Sequence, residues 1–432
     1  MINTEFLNLR GKSLIIITFK RSKNNFMVKH SSHPFNIVVI IAALGYFVDI
    51  YDLILFSIVR IPSLQAIGIP ASQIKDSGIF LINMQMVGML IGGLVWGVLG
   101  DKKGRLSTLF LTILLYSLAN IANGFVQNLN QYALLRLVAG FGLAGELGIG
   151  ITLVSEVMTK ETRGLGTSIV SGIGIIGAAL AFLVSEWGWR EAYWVGGVLG
   201  LLLLGLRVYI NESGMFDKVK QSAAKRGDFL SLFKNWKRFY KYISCIFVGI
   251  PVWFTIGILI TFSKEFGEAL GIITPVSPGE AVMFHYFGAA IGSIATGYIS
   301  QKLKSRKKAL WISITTLGLL SAGYFSAHAV SSDLFYFIIF LLGLAQGYWA
   351  VFITVASEQF GTNMRSTVTT TVPNFVRGAT VPMIIWWNYM SGGIGIIQSA
   401  IIVGAVVILL SIVAVFFLEE SYGKDLDYIE VD

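Results

Sequence analysis

Cysteine is almost absent. Cys245 is the only one and stands in an apolar stretch, which excludes an internal disulfide and any multi-cysteine metal centre. Charge is scarce too: Asp, Glu, Lys and Arg make up 13% of the 432 residues, against about 25% in soluble domains. The four histidines, His30, His33, His285 and His328, have no metal-site spacing. No glycine-rich nucleotide loop is present, nor any polar stretch long enough for a soluble domain, so an enzyme or receptor reading has no support and neither catalytic nor metal-binding residues are expected. Hydrophobic residues fill the space instead, at 55%. Apolar runs of roughly 18 residues or more recur along the chain, the mark of a helical protein that crosses a membrane many times.

Twelve such spans can be read, centred near Leu44, Gly88, Leu114, Leu143, Gly174, Gly200, Trp253, Gly288, Thr316, Leu342, Ala379 and Val406. A net charge of +9 would suit a nucleic-acid partner, but the cations sit on alternate loops. Apart from Arg60, Lys75, Arg136, Arg190, Lys264 and Arg377, every Lys and Arg falls in the two tails or in the even-to-odd connections. The basic balance therefore reports topology: both termini are expected in the cytoplasm of a multi-pass plasma (inner) membrane protein, with the lipid bilayer and no nucleic acid as partner. The outward links Gln127–Asn130 and Ser331–Asp333 carry no cation, which agrees. The expected segments are a tail over 1–33, a six-helix half over 34–210, a cytoplasmic linker over 211–240, a second half over 241–418 and a tail over 419–432. The apolar core of the first tail, Leu14 to Phe19, is too short for a signal peptide or a span, and Met27 offers an alternative start. In the linker, Phe229 to Tyr240 mixes aromatics with cations as an in-plane amphipathic helix does.

The two halves repeat each other. One constant shift pairs Gly88 with Gly288, Gly92 with Gly292, Gly97 with Gly297 and Lys102 with Lys302. A shift two residues longer pairs Gly145 with Gly347, Ser155 with Ser357, Glu156 with Glu358 and Arg163 with Arg365. The predicted fold is an all-α membrane protein of twelve transmembrane helices in two pseudo-symmetric six-helix halves, with a midplane site between them. Glycines crowd span 4 (Gly140, Gly142, Gly145, Gly148) and span 5 (Gly172, Gly174, Gly177), where they permit close helix packing or mark a moving seam.

Between spans 2 and 3 the chain reads Gly97-Val98-Leu99-Gly100-Asp101-Lys102-Lys103-Gly104-Arg105. An acid at a helix end, cations and turn glycines suit a short link pinned to neighbouring helix termini in one state of a moving protein. This loop resembles the signature of the major facilitator superfamily. The resemblance extends over nearly all of the chain after residue 34, including Trp187-Gly188-Trp189-Arg190 before span 6 and Glu420-Ser421-Tyr422-Gly423-Lys424-Asp425-Leu426 after span 12. It implies a monomeric secondary transporter. The matching loop in the second half, Gln301 to Arg306, has lost the acid, so any latch made by Asp101 and Arg105 is expected to be asymmetric.

Ionisable residues inside apolar spans are the sharper signal, since each costs at least ~2.5–3.5 kcal/mol at the bilayer centre unless it pairs or faces water. Span 1 carries Tyr46, Asp49 and Asp52, the two acids sharing one helix face. Asp49 either carries a proton or pairs with Arg136; for Asp52 the structural reading leads. The stretch resembles the Asp-x-Tyr-Asp-Leu of phosphate, sugar and organic-acid symporters of the superfamily. In span 4, Arg136 precedes Glu146 in a glycine-rich stretch that resembles sialate and lactate proton symporters, with Ala144 and Leu147 departing from the pattern. The pair is either a buried ion pair, or a proton site at Glu146 tuned by Arg136, with Arg136 also a candidate for the substrate. Glu156 and Glu358, ahead of Arg163 and Arg365, suggest gating salt bridges.

In span 11, Pro373 interrupts the helix, and Asn374 and Arg377 stand three residues apart. Arg377 either holds an anion in two-point fashion or neutralises a glutamate such as Glu358. His285, Tyr286, Asn83 and Gln85 are candidate cavity-lining groups. Together these residues favour proton-coupled symport of a small polar metabolite, foremost an organic anion such as a carboxylate or sugar acid, by alternating access. The proton serves as coupling ion and no other cofactor is needed. A neutral sugar or zwitterion symporter, or a drug or siderophore exporter, is the alternative.

Overall fold

The computed structural model describes residues 2–9, 12–19, 37–159, 162–207, 227–425 and 428–429, and the side chain of Arg163 lies outside that description. The part of the expected linker before Gly227 is also outside it. A two-stranded antiparallel hairpin, Ile2–Leu9 with Lys12–Phe19, precedes the membrane body.

Twelve transmembrane helices follow. Spans 1 to 3 are Ile37–Ala66, Ile74–Lys103 and Arg105–Asn123. Span 4 is divided into Leu129–Leu143 and Glu146–Val157, and span 5 into Arg163–Ile175 and Gly177–Ser185. Span 6 is Trp189–Arg207. Span 7 runs Trp236–Phe254, then a π-helical turn Thr255–Ile260, then Ser263–Leu270. Spans 8 and 9 are Pro278–Lys302 and Arg306–Phe325. Span 10 is Ser332–Gln346 and Trp349–Glu358, span 11 Arg365–Gly378 and Thr380–Ile394, and span 12 Ile396–Phe417. Nine of the described helices are long and apolar enough to cross a membrane by length and composition alone. Spans 6, 9 and 11 fall outside that set because charged first turns or the threonine run of span 11 dilute their hydropathy. They cross as members of the bundle, where neighbours cover their polar groups. Large apolar side chains such as Leu319, Leu409 and Phe416 remain exposed, as a lipid-facing surface requires.

The internal repeat has a physical counterpart in how the helices touch. Spans 2 and 4 pack closely, and so do spans 8 and 10. A Cβ on Gly88 would stand 2.1 Å from the Leu137 carbonyl oxygen, and one on Gly288 would stand 2.1 Å from that of Phe340. The same glycine therefore lets the same helix pair close to backbone contact in both halves.

The aromatic and cationic stretch Phe229 to Tyr240 is not one in-plane helix. It forms a single turn, Ser231–Lys234, and then the start of span 7, because the Asn235 side chain caps the second helix by accepting from the N–H groups of Lys237 and Arg238. At the other end, Glu420 folds back onto the start of span 9, accepting from the Ser305 hydroxyl and from the N–H of Arg306 at 2.8 Å. Burial alone would raise the Glu420 pKa, but these bonds, with those from the N–H groups of Tyr422 and Lys307, outweigh it and hold the carboxyl below its ordinary value.

Candidate functional site

The halves meet at two closed ends with a cavity between them. On the side of the Asp101 loop, the Asp101 carboxylate accepts from the N–H groups of Ser366 (3.2 Å) and Thr367 (2.8 Å) and from the Thr367 hydroxyl (2.7 Å). An N-half carboxylate thus caps the N-terminus of span 11, where free N–H groups and the helix dipole favour negative charge. Arg105 lies 3.5 Å from Asp101 and 3.0 Å from Glu156, and Glu156 in turn lies 3.4 Å from Arg365 of the other half. In the C-half, Arg306 and Glu358 pair at 3.3 Å and the Ser421 hydroxyl donates to Glu358 at 2.7 Å. The position that matches Asp101 is Gln301, which has no carboxylate and whose Nε2 is buried with no hydrogen-bond partner among the described residues. Two threonine pairs cross the same seam, Thr152 with Thr369 at 2.6 Å and Thr167 with Thr354 at 2.7 Å. Each pair is the image of the other under the sequence repeat.

Any separation of the halves on this side would have to break the Asp101 cap. Asp101→Ala removes three charge-assisted bonds between halves, together of order 2 kcal/mol after solvation, and is expected to shift the open-to-closed ratio about tenfold or more. Cysteine labelling of positions along this seam should rise while ligand affinity changes little; unchanged labelling would exclude a latch.

On the opposite side, Arg60 of span 1 bonds Glu265 of span 7 at 2.8 Å and lies over the Phe262 ring at 4.8 Å. Contacts between the halves thus flank the cavity on both sides.

Between these contacts lies a cavity of about 20 Å³ lined by Tyr46 and Ile50 of span 1, Ile175 of span 5, Val252, Trp253 and Ile256 of span 7, Tyr286 and Ala289 of span 8, Gln346 and Trp349 of span 10, and Arg377 of span 11. Most of the C-half residues come from helix interruptions. Trp253 and Ile256 flank the entrance to the π-helical turn, which follows Pro251, a residue with no N–H to give. Gln346 and Trp349 stand either side of the break in span 10, and Arg377 ends the first segment of span 11. Broken helices at mid-membrane are tolerated where they border a cavity.

In this wall Arg377 faces Asp49, which is not itself a wall residue, at 3.6 Å, with both side chains almost fully buried. The acidic partner of Arg377 is therefore an aspartate of the other half and not Glu358, which stands at the Asp101 side with Arg306. The Asn374 side-chain oxygen accepts from Arg377 at 3.4 Å, while its Nδ2 donates to the Ala144 carbonyl oxygen at 2.7 Å, tying the arginine to the break in span 4. Asn374 thus holds Arg377 and is not among the wall residues. The Trp349 indole donates to the Tyr46 hydroxyl at 3.0 Å, and the Trp253 ring lies 5.9 Å from the guanidinium.

The remaining candidates are distributed around this centre. Tyr286 is in the wall. His285 is fully buried behind it, with Nε2 2.8 Å from Oε1 of Gln346. Glu146, at the start of the second segment of span 4, is within electrostatic reach of Asp49. Asp52 turns toward the N-half interior, so close to span 6 that a Cβ on Gly196 would fall 2.2 Å from its Oδ1. Arg136 also lies inside that half, bonded to Gln85 and to the Tyr193 hydroxyl (3.4 Å) and stacked over Phe56 at 5.0 Å. Neither Arg136 nor Gln85 is a wall residue. Gln346, the one carboxamide in the wall, was not singled out by sequence; a lone amide in an apolar run just before Gly347 is the signal it offered.

Residues 42–378 match the family model described as Major Facilitator Superfamily. A probable 4-methylmuconolactone transporter of Cupriavidus pinatubonensis is 27% identical over 338 residues, covering 75% of this chain and 76% of that protein. A 3-(3-hydroxy-phenyl)propionate transporter of Escherichia coli is 30% identical over 281 residues, covering 60% and 68%. Among solved structures, the proton:xylose symporter XylE bound to 6-bromo-6-deoxy-D-glucose aligns with a TM-score of 0.70 at 14% identity, covering 90% of this chain and 97% of that one.

Proposed function

The chain belongs to the major facilitator superfamily, and on that premise we propose that it is a proton-coupled symporter of a small organic carboxylate with a flat, unsaturated body, working by alternating access. One observation carries this reading: Arg377, in the cavity wall, is ion-paired across the two halves with Asp49. A guanidinium offers a carboxylate two parallel bonds, but here Asp49 already stands beside it as its ion-pair partner at 3.6 Å. A substrate anion that displaces Asp49 leaves two carboxylates around one cation, at a high cost in a buried site. A proton on Asp49 removes that cost. The loaded cavity then has the same net charge as the empty one, so the carrier reorients without a bare charge in the membrane interior.

The walls support the flat body. Tyr46, Trp253, Tyr286 and Trp349 present aromatic surface, whereas a sugar needs many hydrogen-bonding partners. The names of the two relatives, a muconolactone and a phenylpropionate carrier, agree with an organic acid. In this reading the Asp101 side, where the cations concentrate, faces the cytoplasm of an inner membrane, and the working unit is a monomer.

The test is uptake by proteoliposomes. Benzoate, nicotinate, cis,cis-muconate or 3-(3-hydroxyphenyl)propionate should accumulate when the outside is acidic, and a protonophore should abolish the accumulation. The same ligand should raise the melting temperature of the purified protein. If none of these acids stabilises the protein or is taken up, the carboxylate reading fails.

A further inference from the structure

We propose that Gln346 reads a hydrogen-bond acceptor on the substrate away from its carboxylate, and that His285 is the positioning residue that turns the Gln346 amide to do so. The inference rests on the carboxylate reading above and adds a second point of recognition to it.

A glutamine in a cavity wall is ambiguous, because its side chain ends in an acceptor and a donor that can exchange places by a half-turn. In this proposal the ambiguity is resolved from behind. His285 belongs to span 8, is fully buried and is not a wall residue, yet its Nε2 stands 2.8 Å from Gln346 Oε1. With the amide oxygen toward the ring the imidazole must donate, which requires the tautomer that carries its proton on Nε2. With the oxygen occupied, the group that Gln346 offers the cavity is its Nε2–H. The backbone fixes the reach of both residues. Gln346 ends the first segment of span 10, so its side chain points from a helix break, and Gly343, one turn earlier, lies so close to span 8 that a Cβ there would meet the His285 carbonyl oxygen at 1.9 Å. Histidine and glutamine are thus brought together by the tight packing of spans 8 and 10.

The chemistry that results differs from that at Arg377. Arg377 is charged and takes the carboxylate. Gln346 is a neutral donor in an otherwise largely apolar wall, and a neutral donor suits a carbonyl, an ether, a hydroxyl oxygen or a ring nitrogen. A substrate with no such group leaves the Nε2–H unmatched in a dry site, and unmatched polar groups are what make hydrogen-bonding pockets selective.

Nicotinate and benzoate isolate this contact, since they share shape and charge and differ by one ring nitrogen. Dissociation constants of both probes would be measured by calorimetry on the purified protein, for wild type, Gln346→Leu, His285→Leu and His285→Gln. The ratio of the benzoate to the nicotinate constant is expected to fall about tenfold in Gln346→Leu. It should fall nearly as far in His285→Leu and recover in His285→Gln, which keeps an N–H donor at similar reach. If both constants rise together in Gln346→Leu with the ratio kept, Gln346 only shapes the wall and the inference is wrong. A ratio unaffected by His285→Leu would remove the positioning role. Failure of wild type to bind either probe would overturn the carboxylate reading and this inference together, whereas binding of both with an invariant ratio overturns this inference alone.

Discussion

Asp49→Asn should abolish concentrative uptake while substrate exchange across the membrane continues. Asparagine imitates the protonated acid in shape and neutrality, so in this variant Arg377 is permanently released for the anion and no proton need arrive with it. Two consequences separate this from simple damage. In wild type, where proton and anion bind together, apparent affinity should fall tenfold for each pH unit above the point at which Asp49 ionises, by linkage. In Asp49→Asn that dependence should be flat. Proton-driven accumulation should drop at least a hundredfold, to the level set by the substrate gradient, because the variant moves the anion without its proton. Uptake against pH in proteoliposomes and binding against pH in detergent give both readings. Undiminished accumulation in Asp49→Asn would remove Asp49 from the coupling, and the burden would pass to Glu146 or Asp52, the buried acids beside it.

Much of this arrangement is legible in the sequence, for identifiable physical reasons. The Asp101 loop is readable because its acid, cations and glycines lie within a few residues, so their roles are local. The twelve spans are readable because lipid demands long apolar helices with internally satisfied backbones. The repeat is readable because glycine is the one residue that lets two backbones touch, and the structure places Gly88 and Gly288 against equivalent carbonyl groups. What the sequence does not show is which side chains meet across the two halves. A periodic pattern assigns a face to Asp49 and another to Arg377, but 328 positions of chain separate Arg377 from Asp49, and nothing local says that the two faces oppose. The same limit explains why Arg136 looks like a partner for Asp49 or Glu146 and instead bonds Gln85 and Tyr193 in its own half. Helix breaks are the other gap. Pro373 marks a weak point in span 11, yet the segment continues to Gly378 and the break follows there, while span 7 loosens after Pro251. Where a proline's missing bond is absorbed by a neighbour, the helix survives it.

Arg377→Lys should weaken carboxylate binding at least a hundredfold while leaving a folded protein, and this separates recognition of an anion from mere neutralisation of Asp49. Lysine keeps the charge near Asp49 but offers a point donor in place of the planar fork, and it cannot be held by Asn374 in the same orientation. If Arg377 served only to neutralise Asp49, lysine would suffice and transport would persist. Arg377→Ala goes further, because it strands a buried carboxylate. Breaking one side of such a pair costs about 3–5 kcal/mol, so this variant should melt well below wild type or have Asp49 protonated at neutral pH. Adding Asp49→Asn removes the stranded charge and should restore the melting temperature. Binding should stay lost, since no cation remains in the wall to receive the carboxylate. Stability and binding thus respond in opposite ways in the double variant. Should it recover binding as well as stability, the anion is held elsewhere and Arg377 is structural. A neutral sugar carried with full affinity by Arg377→Lys would replace the carboxylate reading with a sugar one.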